Sequence, residues 1–205
     1  MTEIPAGERI WGGRTLDARR AARRTQLIDA ALDLLAAGGG PALTVRAVCR
    51  HARLTERYFY ESFADRDELA LAVYDEVTAE ALALIVASTH ERSTPAEVAR
   101  AAVEAMVDLG TKDPRKGKLL FVTSMTDSLL YAKRDELLPV VTALIREQVA
   151  GDTSDLHRDL VATASMGAIG NLFFQYFSGT LKATREEFVE HCVRTLMLNV
   201  SMPPG

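Results

Sequence analysis

Six arginines fall between Arg9 and Arg24 against a single acid, Asp17. Arg19 with Arg23, and Arg20 with Arg24, are like-charge pairs one helical turn apart. Such pairs weaken an isolated helix by a few tenths of a kcal/mol each, and cations near a helix N-terminus also oppose its dipole. A phosphate backbone alongside would relieve that repulsion and release counterions; a merely solvated helix face would not. Further along, Phe59 and Phe63 lie four apart, with Glu56, Arg57, Tyr58, Tyr60 and Glu61 around them. On a short helix the two phenylalanines supply an inner face and the polar set faces out. Tyr58 and Tyr60 can then donate to phosphate oxygens, and Arg57 can reach a guanine edge through a bidentate pair. The alternative for this stretch is an aromatic core cluster with solvated charges.

Catalytic chemistry finds less support. There is no HExxH, no Gly-rich phosphate loop between strand and helix, and no Gly-x-Ser-x-Gly. The histidines His51, His90, His157 and His191 are scattered. Glu187 and His191 are four apart, which reads as a helix-surface pair before a metal site. A carboxylate dyad has nothing to propose it. Neither an enzyme nor a cofactor or metal is expected. Cys49 and Cys192, far apart and without metal-ligand neighbours, read as reduced thiols.

The charge distribution carries the same message as the motifs. The net charge of −4 divides into about +3 for residues 1–66, which hold 11 Arg and no Lys, and about −7 for the rest. A polyanion-binding head on an acidic body follows. With 205 residues and 48% apolar content the chain can build a real core, and disordered or collagen-like classes are excluded. No apolar run approaches the roughly 20 residues of a membrane helix. The N-terminus shows no secretory pattern, so a cytoplasmic protein without a membrane partner is expected.

The elements that must position these residues are all helical, since apolar residues recur at helical spacing and no long stretch alternates with period two. A first helix is predicted from about Asp17 to Ala37, ended by Gly38-Gly39-Gly40-Pro41. Thr44 caps a second, carrying Val45, Val48, Cys49 and Ala52, and a third follows Thr55. Asp65 and Glu68 form a capping-box pattern opening a long fourth helix, and Thr94 with Glu97 opens a fifth. Pro114 starts a sixth, Pro139 a seventh closed by Gly151, Ser154 to Ser178 holds an eighth, and Thr184 to Glu187 opens a ninth ending near Val200. The two short helices joined by Ala52-Arg53-Leu54-Thr55 on a longer first helix make a helix-turn-helix signature.

These residues carry a family resemblance. The run Gln26-Leu27-Ile28 through Leu43-Thr44-Val45 to Thr55-Glu56-Arg57-Tyr58-Phe59-Tyr60, then Phe63, Asp65 and Leu69, resembles the DNA-binding domain of the TetR family of transcriptional regulators. The resemblance implies a nine-helix homodimeric repressor that binds a palindromic operator on double-stranded DNA and releases it when a small molecule enters the C-terminal domain. It matches Thr44 to the start of the family's second helix, Thr55 to the start of its recognition helix and Tyr60 to its backbone-contacting tyrosine. Two departures stand out. Arg53 occupies the turn position where the family has glycine, so a non-glycine residue is expected at positive φ at a cost of roughly 1 kcal/mol, with a phosphate contact as a possible return. Arg66 replaces the common lysine at the start of the fourth helix, which keeps the charge and changes its geometry.

The implied division is a flexible basic arm over 1–16, in which Arg9 and Arg14 could enter a minor groove, a DNA-binding domain over 17–66, and a ligand-binding and dimerisation domain over 67–205. In the last, the eighth helix is rich in small residues, and Ala164, Gly167 and Ala168, together with Val189, Val193 and Leu196 of the ninth, suit a two-fold four-helix interface; packing within the chain is the alternative. Met106, Leu109, Phe121, Met125, Leu129, Phe173 and Phe177 are cavity candidates for a largely apolar effector, although each suits an ordinary core as well. Asn171 and Gln175 within an apolar stretch need a partner, be it ligand, second subunit or backbone. The competing function is a DNA-binding dimer with no effector, architectural or switched by a partner.

Overall fold

The computed structural model describes residues 16–149 and 153–201, and these are helical throughout, with no strand among them. In chain order the elements are α1 (Leu16–Ala42), α2 (Val45–Ala52), α3 (Glu56–Tyr60), α4 (Arg66–Thr89) and α5 (Pro95–Lys112). A broken segment over 114–126, α6, joins Pro114–Lys118, a π-helical turn Leu119–Thr123 and one turn Ser124–Thr126. Then come α7 (Ser128–Arg146), α8 (Asp155–Phe177) and α9 (Arg185–Val200).

Most helix starts are where side chains can satisfy the orphan N–H groups. The Thr44 hydroxyl accepts from Ala47 N–H, and Thr94 with Glu97 and Thr184 with Glu187 form complete capping boxes. At Asp65 the pattern is modified. Its carboxylate accepts from Asp67 and Glu68 N–H, but Glu68 reaches back to the Ala64 N–H instead of the Asp65 N–H. The first helix breaks where the glycines stand, at Gly39 with φ 65°, and resumes for a single turn through Ala42.

One boundary differs from expectation. Asp127, not Pro139, opens α7, because its carboxylate accepts from the N–H groups of Leu129 and Leu130. Pro139 lies inside α7 on an exposed face. There the ring removes one ladder bond, and solvent is at hand for the freed Asp135 carbonyl, so the helix continues. The last turn of α7 closes at Arg146, and Gly151 lies outside the described residues.

Among the described residues three apolar clusters result, two large and a small one of Val149, Val161 and Val200. The first joins Leu27, Ile28, Ala31 and Leu35 of α1 to Val48, Phe59, Phe63, Leu69 and Val73, and extends to Leu119 and Leu130 of α6 and α7. The second joins Val103 and Val107 of α5 to Phe173 of α8 and to Phe188, Val189, Cys192 and Val193 of α9. Between them α5 and α6 cross so closely that a Cβ on Gly110 would stand 3.0 Å from the Gly117 Cα and 2.4 Å from the Phe177 ring. Glycine is required at that crossing for steric reasons.

Arg53 adopts the left-handed conformation, φ 53° and ψ 38°. The Leu54 N–H donates to Cys49 C=O and the Arg53 N–H to Arg50 C=O, the paired hydrogen bonds of a Schellman motif. An L-residue with a Cβ there is strained. Arg53→Gly is therefore expected to stabilise the chain by about 1 kcal/mol, a rise in Tm of roughly 2–4 °C for a protein of this size, measurable by thermal and urea melts.

Candidate functional site

The outer surface of α2 and α3 is built on the buried pair Phe59 and Phe63, whose rings lie 6.0 Å apart and leave little surface uncovered. With these inside, Arg57, Tyr58 and Tyr60 are exposed, Tyr60 to 57%. The Thr55 side chain makes no cap bond, so its hydroxyl is uncommitted, whereas that of Thr44 is used by the Ala47 N–H. Glu56 sits beside Arg46 at 3.7 Å and Arg57 bonds Glu61 at 3.2 Å. Arg53 is exposed at the turn.

The structure redistributes the arginines of α1. Arg23 lies over the Tyr58 ring at 4.4 Å and 3.5 Å from the Glu61 carboxylate. Arg24 lies over the Phe63 ring and bonds Glu76 on α4 at 2.8 Å. The like-charge strain expected on α1 is thus offset within the chain by cation–π and ion-pair contacts, and a phosphate backbone is not needed to relieve it. Arg19 is half-buried, its Nε without a partner, and Arg66 donates to the Gly40 carbonyl and pairs with Asp67. Two cations that sequence reasoning passed over, Arg46 and Arg50, stand exposed one turn apart on α2, next to Arg53. Their i,i+4 spacing on a short helix was the available signal. Arg9 and Arg14 lie outside the described residues.

A second site lies in the body, a cavity of about 460 Å³, partly open to solvent, lined by α4 to α9. Helical spacing explains its length. Tyr74, Thr78, Ala81, Leu82, Ile85 and Thr89 line one face of α4, and Arg134, Leu138, Val141 and Ile145 one face of α7. From Tyr74 to Thr89 the lining runs about 22 Å at 1.5 Å per residue. Of the expected ligand residues, Met106, Phe121, Met125 and Phe173 reach it. The others do not. Leu109 is buried elsewhere on α5, and Leu129 packs against the first core. Phe177 fills the Gly110–Gly117 crossing, stacked 5.3 Å from Phe121. Asn171 is exposed on α8, and Gln175 is half-buried away from the lining.

The expected interface residues also separate. Val189, Val193 and Leu196 are buried in the second core, because α9 turns its apolar stripe onto α5 and α8 of the same chain. Ala164 and Gly167 stay exposed, Ala168 is half-buried, and a Cβ on Gly167 would meet nothing within 4 Å. Leu156, Leu160 and Thr163 continue that open face of α8, and Leu198, 69% exposed, stands on α9.

One ionic cluster ties head to body. Arg115 of α6 donates to Asp33 at 2.7 Å and Asp29 at 2.9 Å, both on α1, and grips Asp113 with Nε and Nη2 at 2.9 and 2.8 Å. Asp33 also contacts His51 of α2 at 2.7 Å. Burial pushes the Asp33 carboxyl up, but the bonds from Arg115 and His51 outweigh it and hold it below its ordinary range. The Arg115 bond likewise lowers Asp113 against the effect of burial. Directly after the cluster, the stretch 116–121 meets α4 and the cavity: Lys116 bonds Glu80 of α4 at 2.6 Å, while Leu120 and Phe121 line the cavity.

Residues 27–73 match the family described as bacterial regulatory proteins, tetR family. That segment belongs to the TetR family. Comparison with curated proteins yields no match. Among solved structures, a TetR-like transcriptional regulator from Rhodococcus sp. RHA1 is similar at TM-score 0.69 and 18% identity, covering 88% of this chain and 97% of the other. The fatty acid degradation regulator FadR from Bacillus halodurans aligns at TM-score 0.72 and 15% identity, over 87% and 95%. FadR from Bacillus subtilis, in complex with stearoyl-CoA, aligns at 0.70 and 17%, over 86% and 97%. The TetR-type helix-turn-helix therefore sits on a TetR-type fold. No helix of the described residues is long and apolar enough to cross a membrane.

The head-to-body cluster makes a checkable claim on stability. Carboxylates held below their ordinary value of 3.8 favour the folded form at all pH values above it, and that contribution is lost as pH falls through their lowered values. Urea melts from about pH 7 down to about pH 3 are expected to show the loss below about pH 4. Arg115→Met is expected to remove about 1 kcal/mol at neutral pH and to flatten that acid limb.

Proposed function

We propose that the chain is a DNA-binding transcriptional repressor that grips a palindromic operator as a homodimer and lets go when a small molecule fills the body cavity. Residues 17–66 read DNA, residues 67–205 self-associate and bind the effector, and the protein works in the cytoplasm. The observation that carries the reading is that α6 is at once a wall of the cavity, through Leu120 and Phe121, and the holder of the head, through Arg115 on Asp29 and Asp33. A cavity of this volume lies within the range of effector pockets, which favours a ligand over an architectural dimer. The Bacillus subtilis neighbour, whose fold this chain shares, was solved in complex with stearoyl-CoA, and a ligand-bound regulator of this fold supports the ligand-responsive reading here.

In this mechanism α3 enters a major groove and presents Arg57 to base edges, while Tyr60, Tyr58 and the Thr55 hydroxyl take phosphates. Arg46, Arg50 and Arg53 add backbone charge. Two copies joined along the open α8 face, with Leu160, Ala164 and Gly167 at its centre and Leu198 of α9 beside it, set the two recognition helices about 34–36 Å apart or at a multiple of that distance. A ligand that spreads α4 from α7 presses on Phe121, shifts α6, and through Arg115 turns α1 with its recognition helix. The half-sites are then no longer spanned together.

Selection of bound DNA from a random pool is expected to return a palindrome; a non-palindromic or unselected pool would overturn the reading. Against that site, Arg50→Ala is expected to weaken binding to matched and scrambled DNA alike and to lower the salt slope by about 1, whereas Arg57→Ala changes base preference. Leu160→Glu is expected to halve the sedimenting mass and cost operator affinity, while leaving the helical content unchanged.

A further inference from the structure

The cavity lining is apolar except for a few groups, and these are not evenly placed. Arg134 of α7 is half-buried and projects into the cavity, its Nη2 3.8 Å from where a Cβ on Gly170 of α8 would stand. Arg100, Arg115, Arg146 and Arg185 each hold a carboxylate, on Glu190, Asp113, Asp159 and Asp108. Arg134 holds none among the described residues. The one carboxylate in the lining is Glu147, thirteen residues further along the chain from Arg134, about 20 Å away at 1.5 Å per residue. A guanidinium facing an apolar cavity without a counter-ion is costly, and an anion entering the cavity would offset that cost.

The surroundings of Arg134 suit an oxyanion. Tyr74 is 3% exposed, and burial raises its phenol above the ordinary range, with the Arg134 charge close enough to act against that rise. Tyr74 is therefore a protonated donor at neutral pH. Two hydroxyls stand within reach of the Tyr74 phenol: that of Thr78, one turn on, is buried without a well-aligned hydrogen-bond partner, and that of Ser124 donates to the Leu120 carbonyl, so the phenol proton turns from these oxygens to an entering anion, the stronger acceptor. Away from Arg134 the lining runs along Ile85, Leu138, Val141 and Ile169 to a second polar group, Thr89, Arg92, Glu147 and Gln148, where Arg92 and Glu147 are exposed to solvent and Arg134 is the more buried guanidinium of the two.

We propose that the cavity takes an elongated apolar molecule ending in one anionic group, a carboxylate or phosphate, with Arg134 pairing that group and the Tyr74 phenol donating beside it. The proposal rests on the ligand-responsive reading above and names the chemistry of its effector. The bidentate guanidinium supplies orientation as well as charge, so the apolar body is directed along α4 and α7.

Three probes of equal chain length separate the terms: dodecanoate, dodecyl phosphate and dodecan-1-ol, titrated calorimetrically below their aggregation concentrations into the full chain. One or both anions are expected to bind at least about tenfold more tightly than the alcohol, the two anions telling carboxylate from phosphate. Arg134→Met is expected to abolish that margin with the alcohol affinity unchanged. Arg134→Lys retains part of it, and Tyr74→Phe loses a few-fold on the anions only. Equal affinity for all three probes, no binding of either anion, or a margin that survives Arg134→Met overturns the proposal. Operator binding is followed in the same samples. Release by the alcohol without an anion margin sinks the Arg134 assignment and leaves ligand-responsive release intact. Anion binding that depends on Arg134 but leaves DNA affinity unchanged upholds the assignment and removes the release mechanism.

Discussion

The contact on which the arrangement turns is the Arg115 guanidinium between three carboxylates, Asp29 and Asp33 of α1 and Asp113 at the start of its own segment. A single cation held by partners on two elements fixes both the position and the angle of α6 against the head. The shared core from Leu35 and Val73 to Leu119 and Leu130 gives that fixed angle its mechanical backing, since a close-packed interior passes displacement on without absorbing it. Thr123 adds a buried hydrogen bond to the Leu35 carbonyl, so the far end of the π-helical turn is tied to α1 as well.

That turn also forms part of the cavity wall. A π-helical turn widens α6 where Leu120 and Phe121 face the cavity, and such turns mark places where a regular helix would not fit its neighbours. On the far side, Phe121 stacks on Phe173 at 4.6 Å and Phe177 wedges into the Gly110–Gly117 crossing. The cavity is thus bordered by stacked aromatic rings where α6 meets α8 and by the aliphatic side chains of Leu138 and Val141 along α7. In the proposed mechanism a ligand would press on α6 through Phe121 and spread α4 from α7.

Much of the head was legible in the sequence because its signals are local. Caps at Thr44 and Asp65, the glycine break near Gly39, and Phe59 with Phe63 at one-turn spacing each depend on a few neighbouring residues, and the structure places them as read. The left-handed Arg53 is what the family resemblance implied, since the family usually has glycine at that turn position. Reading fails where a choice between partners is decided at a distance. Charge alone assigns Arg23 and Arg24 to phosphate, yet Tyr58, Glu61, Phe63 and Glu76 come within reach of them only after α3 and α4 have docked. Pro139 carries the signal of a helix start, but the competing cap at Asp127 is stronger and the proline has solvent beside it.

In the body the same divide is sharper. Periodicity marks which residues of α5 to α9 are apolar, and therefore that these helices bury a face, because 3.6-residue spacing is a property of the chain itself. It does not say what that face meets. Val189, Val193 and Leu196 packed onto α5 and α8 of the same chain, and of nine apolar or amide candidates only Met106, Phe121, Met125 and Phe173 border the void. Those outcomes depend on helix crossing angles and on the close approach at Gly110 and Gly117, which are set by the sum of all contacts. The sequence alone determined the all-helical class, most helices and their caps, the charged head and the family of residues 27–73; only the tertiary structure decided where α7 begins and which side chains of equal hydrophobicity became core, cavity wall or open surface, because packing is a property of pairs of elements and hydrophobicity is a property of one.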